Sequence, residues 1–162
     1  MKIYKLLIVM GILCLIFCGC TPPVELPDLV VTEFKTNGSP FFREVDKVTV
    51  VPVSVTIKNI GNADAGIFKV SLEYAGTQGT FVVAFQVEGQ TNMWYPYTNK
   101  SLKPGEEISF EGNALFNRRG ETVSLKAWAD SCSGDEFMPE YCRVEESNEN
   151  NNGSASITVV LP

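Results

Sequence analysis

The sequence predicts an all-β protein, an immunoglobulin-like antiparallel β-sandwich of about seven strands. Two observations indicate this class. Short runs of alternating apolar and polar residues follow one another along most of residues 29–162, as in strands with one buried and one solvated face. Turn sequences such as "KPGEE" and "NRRG" separate these runs, and no stretch places apolar residues at helical spacing.

The predicted strands are defined by side chains that share one face at every second position. In chain order these sets are Leu29, Val31 and Glu33 (opposed by Val30, Thr32 and Phe34), then Val51, Val53, Val55 and Ile57, then Phe68, Val70, Leu72 and Tyr74, then Phe81, Val83, Phe85 and Val87, then Ile108 and Phe110, then Val123, Leu125 and Ala127, and finally Ile157, Val159 and Leu161. Pro52 cannot donate a ladder hydrogen bond, so a bulge or an edge is expected there. Trp128 falls on the outward face of its run by the same alternation.

The N-terminus, residues 1–19, is predicted to be a lipoprotein signal peptide. Lys2 and Lys5 precede an apolar run that ends at Phe17, which is short for a membrane span and typical of a secretory signal. The run ends in "FCGC", where Gly19 before Cys20 resembles the bacterial lipobox. Cys20 is therefore the expected lipidation site, with an ordinary signal peptide as the alternative.

Residues 20–28 contain "TPPVELPD" and predict a short, stiff tether between the lipid and a single domain over residues 29–162. The expected location is outside the cytoplasm, anchored by lipid to the bacterial membrane. The outer membrane or cell surface is favoured because Thr21, rather than aspartate, follows the lipidated cysteine.

The charge of the processed chain limits its partners. After the signal peptide leaves with two lysines, 11 basic residues face 19 acidic ones, a net charge of −8. Such a surface does not attract nucleic acid or an anionic membrane leaflet. A monomer attached to the membrane only through its lipid is expected.

Cys132 and Cys142 are the cysteines left in the predicted domain. In an exported protein they predict a disulfide that closes the loop "CSGDEFMPEYC". Metal binding by these thiols would need further ligands, and the chain contains no histidine. Without histidine the Ser-His-Asp and Cys-His arrangements are excluded. A carboxylate pair for glycoside hydrolysis is compatible with composition, but nothing places two acids in a cleft, so no catalytic residues are predicted.

The acidic and amide-rich run "VEESNENNN" before the last strand is a candidate calcium site. Asp130 ends one predicted strand, and Glu146, Asn148 and Glu149 precede the next, so their oxygens could converge at one end of the sandwich. The run lacks the Asp-x-Asp spacing and turning glycine of an EF-hand loop. The alternative is that these side chains cap backbone groups where the chain turns. No other cofactor is predicted.

The stretch "NMWYPYTN" supplies a candidate binding face. Trp94, Tyr95 and Tyr97 combine large contact area with polar tips, which suits recognition of a sugar or a peptide. The alternative is that these rings cover the open end of the sandwich and shield its core.

Several segments, taken in order, resemble a bacterial CARDB domain, the cell adhesion related domain found in bacteria. They are "PDLVVTEF", "VTVVPVSVTIKNIGNADAGIFKVSLEYAG", "SLKPGEEISFEG", "VSLKAWAD" and the closing "VEESNENNN". The sequence departs from the family pattern in "GQTNMWYPYTNK" and in the Cys132–Cys142 loop. The resemblance implies a seven-stranded sandwich of exported, surface-associated proteins, and it implies no catalytic activity.

The expected function is therefore binding or adhesion to a protein or glycan at the cell envelope. The alternative is a structural envelope lipoprotein, a spacer or assembly subunit, whose fold calcium stabilises.

Overall fold

The computed structural model describes residues 23–77, 79–98, 100–131 and 143–162. The predicted lipidation site Cys20 and the predicted Cys132–Cys142 disulfide lie outside these residues. The described chain forms eight strands: β1 (Leu29–Thr36), β2 (Phe41–Arg43), β3 (Val48–Asn59), β4 (Val70–Gly76), β5 (Gly79–Val87), β6 (Glu107–Phe116), β7 (Thr122–Ala129) and β8 (Ile157–Val160). Within those ranges, no helix has the length and apolar character needed to cross a bilayer.

The strands build two antiparallel sheets joined through β5. In one sheet β1 and β2 pair with the same edge of β3, and β6 pairs with its other edge. In the other sheet β4 pairs with β7, and β7 pairs with β8. Strand β5 pairs with β4 over Gly79–Val83 and with β6 over Ala84–Val87, so it passes from one sheet to the other. The predicted all-β sandwich is confirmed, and β2 is the strand that alternation did not predict.

The core lies between the sheets and is formed by the alternating apolar positions. Its largest fully buried side chains include Phe68, Phe85 and Phe116. On the opposite sides of the strands most side chains are polar or only partly covered, although Val50 and Ala84 are buried there. Trp128 is half-buried and donates its Nε1–H to Glu73 over 2.8 Å. Phe81, predicted to face inward, is instead 41% exposed because it lies near the open end of β5.

Strand β1 differs from simple alternation. A bulge between Val31 and Glu33 shifts its register against β3. As a result Phe34, and not Glu33, follows Val31 in packing against the core. Glu33 is exposed and forms an ion pair of 2.8 Å with Lys35. A bulge and charged side chains on this outer strand are features that discourage pairing with another chain.

Pro52 lies within the long central strand β3, opposite Asn113 of β6. No bulge forms at Pro52. Its carbonyl accepts the N–H of Asn37 over 2.8 Å, so its nitrogen, on the same side of the strand, faces the interval between β1 and β2. The missing N–H is tolerated because no ladder partner occupies that interval.

The N-terminal segment, residues 26–29, packs against the turn that follows β3. Ile60 donates its N–H to the carbonyl of Asp28 over 2.7 Å, and Asn62 donates to that of Leu26 over 3.1 Å. A Cβ on Gly61 would lie 2.5 Å from backbone atoms of residues 26–28. Glycine at this position therefore permits the close approach of two backbone segments.

Replacing Gly61 with alanine is expected to destabilise the domain by about 1–3 kcal/mol, because backbone atoms cannot yield as a flexible side chain does. The measurement is the urea midpoint of the purified protein. Gly38→Ala is the matched control, since a Cβ there would meet only the Pro52 ring, at an ordinary 3.6 Å. Equal midpoints for the two variants would contradict the close packing of the N-terminal segment.

Candidate functional site

Asp130 is the first side chain of a polar cluster at one end of the sandwich, just beyond β7. Its backbone is left-handed, with φ of 43°, a conformation that aspartate tolerates better than most residues. The residue is 2% exposed. Its Oδ2 accepts the N–H groups of Val144 (2.8 Å) and Arg143 (3.2 Å), while its Oδ1 is buried without a hydrogen-bond partner.

Glu146 is the second buried acid of this cluster and is 6% exposed. One carboxylate oxygen accepts the N–H of Leu29, and the other accepts the side-chain amide of Asn152 over 2.7 Å. Asn152 is 5% exposed, and its Oδ1 is buried and unpartnered. The carbonyl of Asn152 accepts the N–H of Ala129 over 2.8 Å, which holds this asparagine beside the end of β7.

The other two predicted ligands, Asn148 and Glu149, are exposed and cap nearby backbone groups. Glu149 accepts the N–H of Glu146 over 2.8 Å, and Asn148 accepts that of Asn150 over 3.1 Å. These are the short-range bonds by which acidic and amide side chains stabilise turns. The structure thus places Asp130 and Glu146 in the buried cluster and Asn148 and Glu149 in the turn above it.

Asn151, Asn152 and Asp28 belong to the cluster and were not singled out by the sequence. The amide of Asn151 donates to Asp28 Oδ1 over 2.7 Å, and Asn151 Oδ1 is buried and unpartnered. The sequence signal was the run of three asparagines, but three identical side chains in a row do not reveal which of them turn inward.

Burial makes the ionised forms of the two carboxyl groups in this cluster unfavourable. Loss of hydration raises the pKa of Asp130 to about 6, and the neighbouring charge of Glu149 adds to the rise. Loss of hydration also raises the pKa of Glu146 to about 8, with further contributions from Asp130 and Glu149. The N–H groups that both carboxylates accept act in the opposite direction and are outweighed.

The donor set at this end of the sandwich consists of hard oxygens. Within the part of the chain that the structure describes, no three acidic, cysteine or histidine side chains are grouped so that they could hold a metal by themselves. The carboxylates of Asp130 and Glu146 would need the amide oxygens of Asn151 and Asn152 to complete a set. Calcium accepts carboxylate and amide oxygens together.

The aromatic segment, residues 92–98, occupies the gap that opens where β5 leaves β4. Its backbone carbonyls at Met93 and Pro96 accept the N–H groups of Phe85 and Val70, over 2.5 and 2.8 Å. Thr98 donates in turn to the carbonyl of residue 68. The segment is therefore attached to both neighbouring strands.

Two of the three predicted aromatic residues are exposed: Trp94 by 50% and Tyr97 by 41%, while Tyr95 is half-buried. Trp94 lines an open cleft of about 350 Å³ whose other walls include Tyr74 and Arg118. Tyr97 does not line this cleft; its carbonyl accepts the side-chain amide of Gln90 over 3.1 Å. Sequence reasoning did not connect Trp94 with Arg118, which comes from the turn between β6 and β7.

Two antiparallel sheets joined through β5 define the class of immunoglobulin-like β-sandwich domains. Within this class the CARDB family model matches residues 26–156. The chain belongs to the CARDB family, a non-catalytic, adhesion-related domain family. The expectation drawn from the resemblance is confirmed at the level of the family.

Two solved structures are similar to the chain, and the first of them is itself a CARDB domain. The CARDB domain of a Pyrococcus furiosus protein, solved in complex with di-metal ions, is 25% identical to the chain with a TM-score of 0.50, over 85% of this chain and 90% of that one. A Bordetella pertussis protein assigned as ApaA is 15% identical with a TM-score of 0.42, over 86% of this chain and 98% of that one. A search of curated protein sequences finds no match to the chain.

Proposed function

We propose that this protein is a lipid-anchored binding or adhesion module of the bacterial cell envelope that attaches to a protein or glycan without catalysing a reaction. Its family supports the adhesion-related part of this proposal. The observation that carries it is the aromatic segment, which presents Trp94 and Tyr97 to solvent from a backbone fixed to two strands.

Exposed aromatic side chains on a fixed backbone suit recognition because little backbone freedom is lost when a partner binds. Trp94 and Arg118 line the same cleft, so the cleft offers both an apolar ring surface and a charged hydrogen-bond donor. The guanidinium of Arg118 also lies 5.8 Å from the ring centre of Tyr74 and forms an ion pair of 3.5 Å with Glu121. This combination fits the polar and apolar faces of a sugar ring or of an aromatic-containing peptide.

Trp94→Ala and Tyr97→Ala are expected to weaken binding to native envelope extract at least tenfold. The free energy of unfolding, measured by urea denaturation, should change by less than about 0.5 kcal/mol. Phe41→Ala is the matched control, because Phe41 is a similarly exposed aromatic residue (48%) on β2. Binding is measured as the amount of immobilised protein needed to capture half of the envelope components that the parent protein retains. Unchanged capture by both folded variants would contradict the role of the aromatic segment.

The proposed anchor is a lipid on Cys20, followed by the tether of residues 20–28. The segment that ends this tether, residues 26–28, hydrogen-bonds to the domain, so little free chain would separate the sandwich from the membrane. The net charge of −8 would keep the acidic domain off an anionic leaflet. We place the protein at the outer membrane or cell surface, as a monomer that does not bind nucleic acid, with Cys132 and Cys142 joined as a disulfide.

The second candidate is a structural envelope lipoprotein, a spacer or assembly subunit whose fold is stabilised by calcium. The buried, unpartnered oxygens of Asp130 and Asn152 favour it. The Pyrococcus furiosus CARDB domain, solved with di-metal ions, supports it by analogy.

The melting temperature in millimolar calcium chloride is expected to exceed that in chelator by at least about 5 °C, as for a ligand present well above its dissociation constant. Equimolar magnesium chloride is the control, because magnesium gives up its water less readily. Superimposable melts would eliminate the calcium-stabilised fold.

A further inference from the structure

We infer that a divalent cation of the calcium class, bound by Asp130, Glu146 and the amide oxygens of Asn151 and Asn152, fastens the N-terminal segment (residues 26–29) to the closing segment (residues 143–152). This inference rests on the calcium-stabilised fold of the second candidate function. It goes further in two respects, because it names the donor set and states which part of the chain the ion controls.

The donor set follows from what the cluster lacks. Buried polar atoms are almost always hydrogen-bonded, yet Asp130 Oδ1, Asn151 Oδ1 and Asn152 Oδ1 are buried without a partner. All three atoms are acceptors, and Asn152, which carries one of them, also donates its side-chain amide to the buried carboxylate of Glu146. Acceptor oxygens and negative charge gathered in one place are satisfied by a cation.

Arg143 is a source of positive charge near this cluster. Arg143 lowers the pKa of Asp130 through its charge, but burial outweighs that effect. Water could satisfy the unpartnered acceptors but would not offset the charges of the two buried carboxylates when both are ionised.

The same side chains connect the two ends of the domain. Glu146 accepts the N–H of Leu29, and Asn151 donates to Asp28 over 2.7 Å. Ser147 donates its N–H to the carbonyl of Pro27 over 2.8 Å and its hydroxyl to Asp28 over 3.2 Å. An ion that fixes Glu146 and Asn151 therefore also fixes the backbone at residues 27–29.

When Asp130 and Glu146 are both ionised and no ion is bound, repulsion between them opposes these same hydrogen bonds. The N-terminal segment is then the part that loosens first, because the hydrogen bonds from the closing segment are among those that hold it. In the anchored protein this segment directly follows the proposed tether. The cation concentration would therefore set how firmly the domain is held at its point of attachment.

The test is hydrogen–deuterium exchange of the purified full chain, followed by mass spectrometry of its peptides, in calcium chloride or chelator. Calcium is expected to slow exchange at least tenfold in peptides covering residues 27–31 and 145–152. Peptides from the centres of β3 and β6 are expected to change little. A melt of the same samples gives the calcium effect on global stability.

Asp130→Asn removes one charge but keeps an acceptor for Val144, and asparagine also tolerates the left-handed backbone at this position. This variant is expected to fold and to lose the calcium-dependent slowing. Asn152→Ala removes an amide oxygen and is expected to reduce the calcium-dependent slowing of exchange. Glu107→Gln, which alters an exposed acid on β6, is the control and should retain it.

The outcomes separate the two ideas. A calcium-dependent melt without slower exchange at residues 27–31 would overturn the fastening of the N-terminal segment while leaving a calcium-stabilised fold. No calcium effect in either measurement would overturn both. Slowing that persists fully in Asp130→Asn and Asn152→Ala would overturn the donor set.

Discussion

Replacing Asn59 with alanine is expected to destabilise the domain by roughly 3–5 kcal/mol. Asn59 is fully buried at the end of β3. Its amide donates to the carbonyls of Ala63 and Leu102 over 2.8 and 2.9 Å, and its Oδ1 accepts the N–H groups of Asp28 and Gly61 over 3.1 and 3.0 Å. One side chain thus satisfies backbone groups from three separate segments.

The effect is large because alanine leaves the N–H groups of Asp28 and Gly61 and the carbonyl of Ala63 without this partner, while the carbonyl of Leu102 keeps the N–H of Ala65. Each buried group left unpaired costs about 1–3 kcal/mol, and part of this is recovered where water can enter. The urea midpoint measures the change. Asn117→Ala is the control, since Asn117 is exposed at the end of β6, and a change below about 0.5 kcal/mol is expected there. A loss of less than about 1 kcal/mol in Asn59→Ala would show that the segments hold together without this side chain.

The predictable part of the fold is the part governed by alternation. In strands such as β3, β4 and β7 the core-facing apolar residues repeat at every second position. Strand β2 has three residues, too few to establish a period. The bulge in β1 changes which face Phe34 occupies without changing the composition of the strand. The passage of β5 between sheets depends on its partners, which its own sequence does not encode.

The location of the polar cluster was predictable, but the role of each side chain in it was not. Acidic and amide residues near the end of β7 and before β8 meet because those strands are neighbours. Whether an oxygen caps its own turn, as in Asn148, or faces a distant segment, as in Glu146, depends on tertiary contacts more than a hundred positions apart in sequence. The role of Asn59 was hidden for the same reason, since "NIGN" has the composition of an ordinary turn.

In chelator, the stability of the domain is expected to fall as the pH rises from about 4 to above 8. The pKa values of Asp130 and Glu146 increase on folding, from 3.8 to about 6 and from 4.5 to about 8. Between each pair of values the folded state binds more protons than the unfolded state, so raising the pH favours unfolding. The stabilising contribution is complete below the unfolded pKa values and is lost once the pH passes the folded ones.

Thermal melts in chelator across this range measure the effect, and a decrease of roughly 5 °C or more between pH 5 and pH 8.5 is expected from these two groups. Glu146→Gln keeps the size of the side chain and an acceptor for Leu29 but cannot ionise. Its melting temperature should therefore fall less steeply with pH and exceed that of the parent above pH 8 in chelator. A parent protein whose stability rises with pH, or a variant with the same slope, would contradict the buried carboxylates as the cause. Calcium should narrow the difference between parent and variant at high pH, because a bound cation compensates a charge that glutamine never carries.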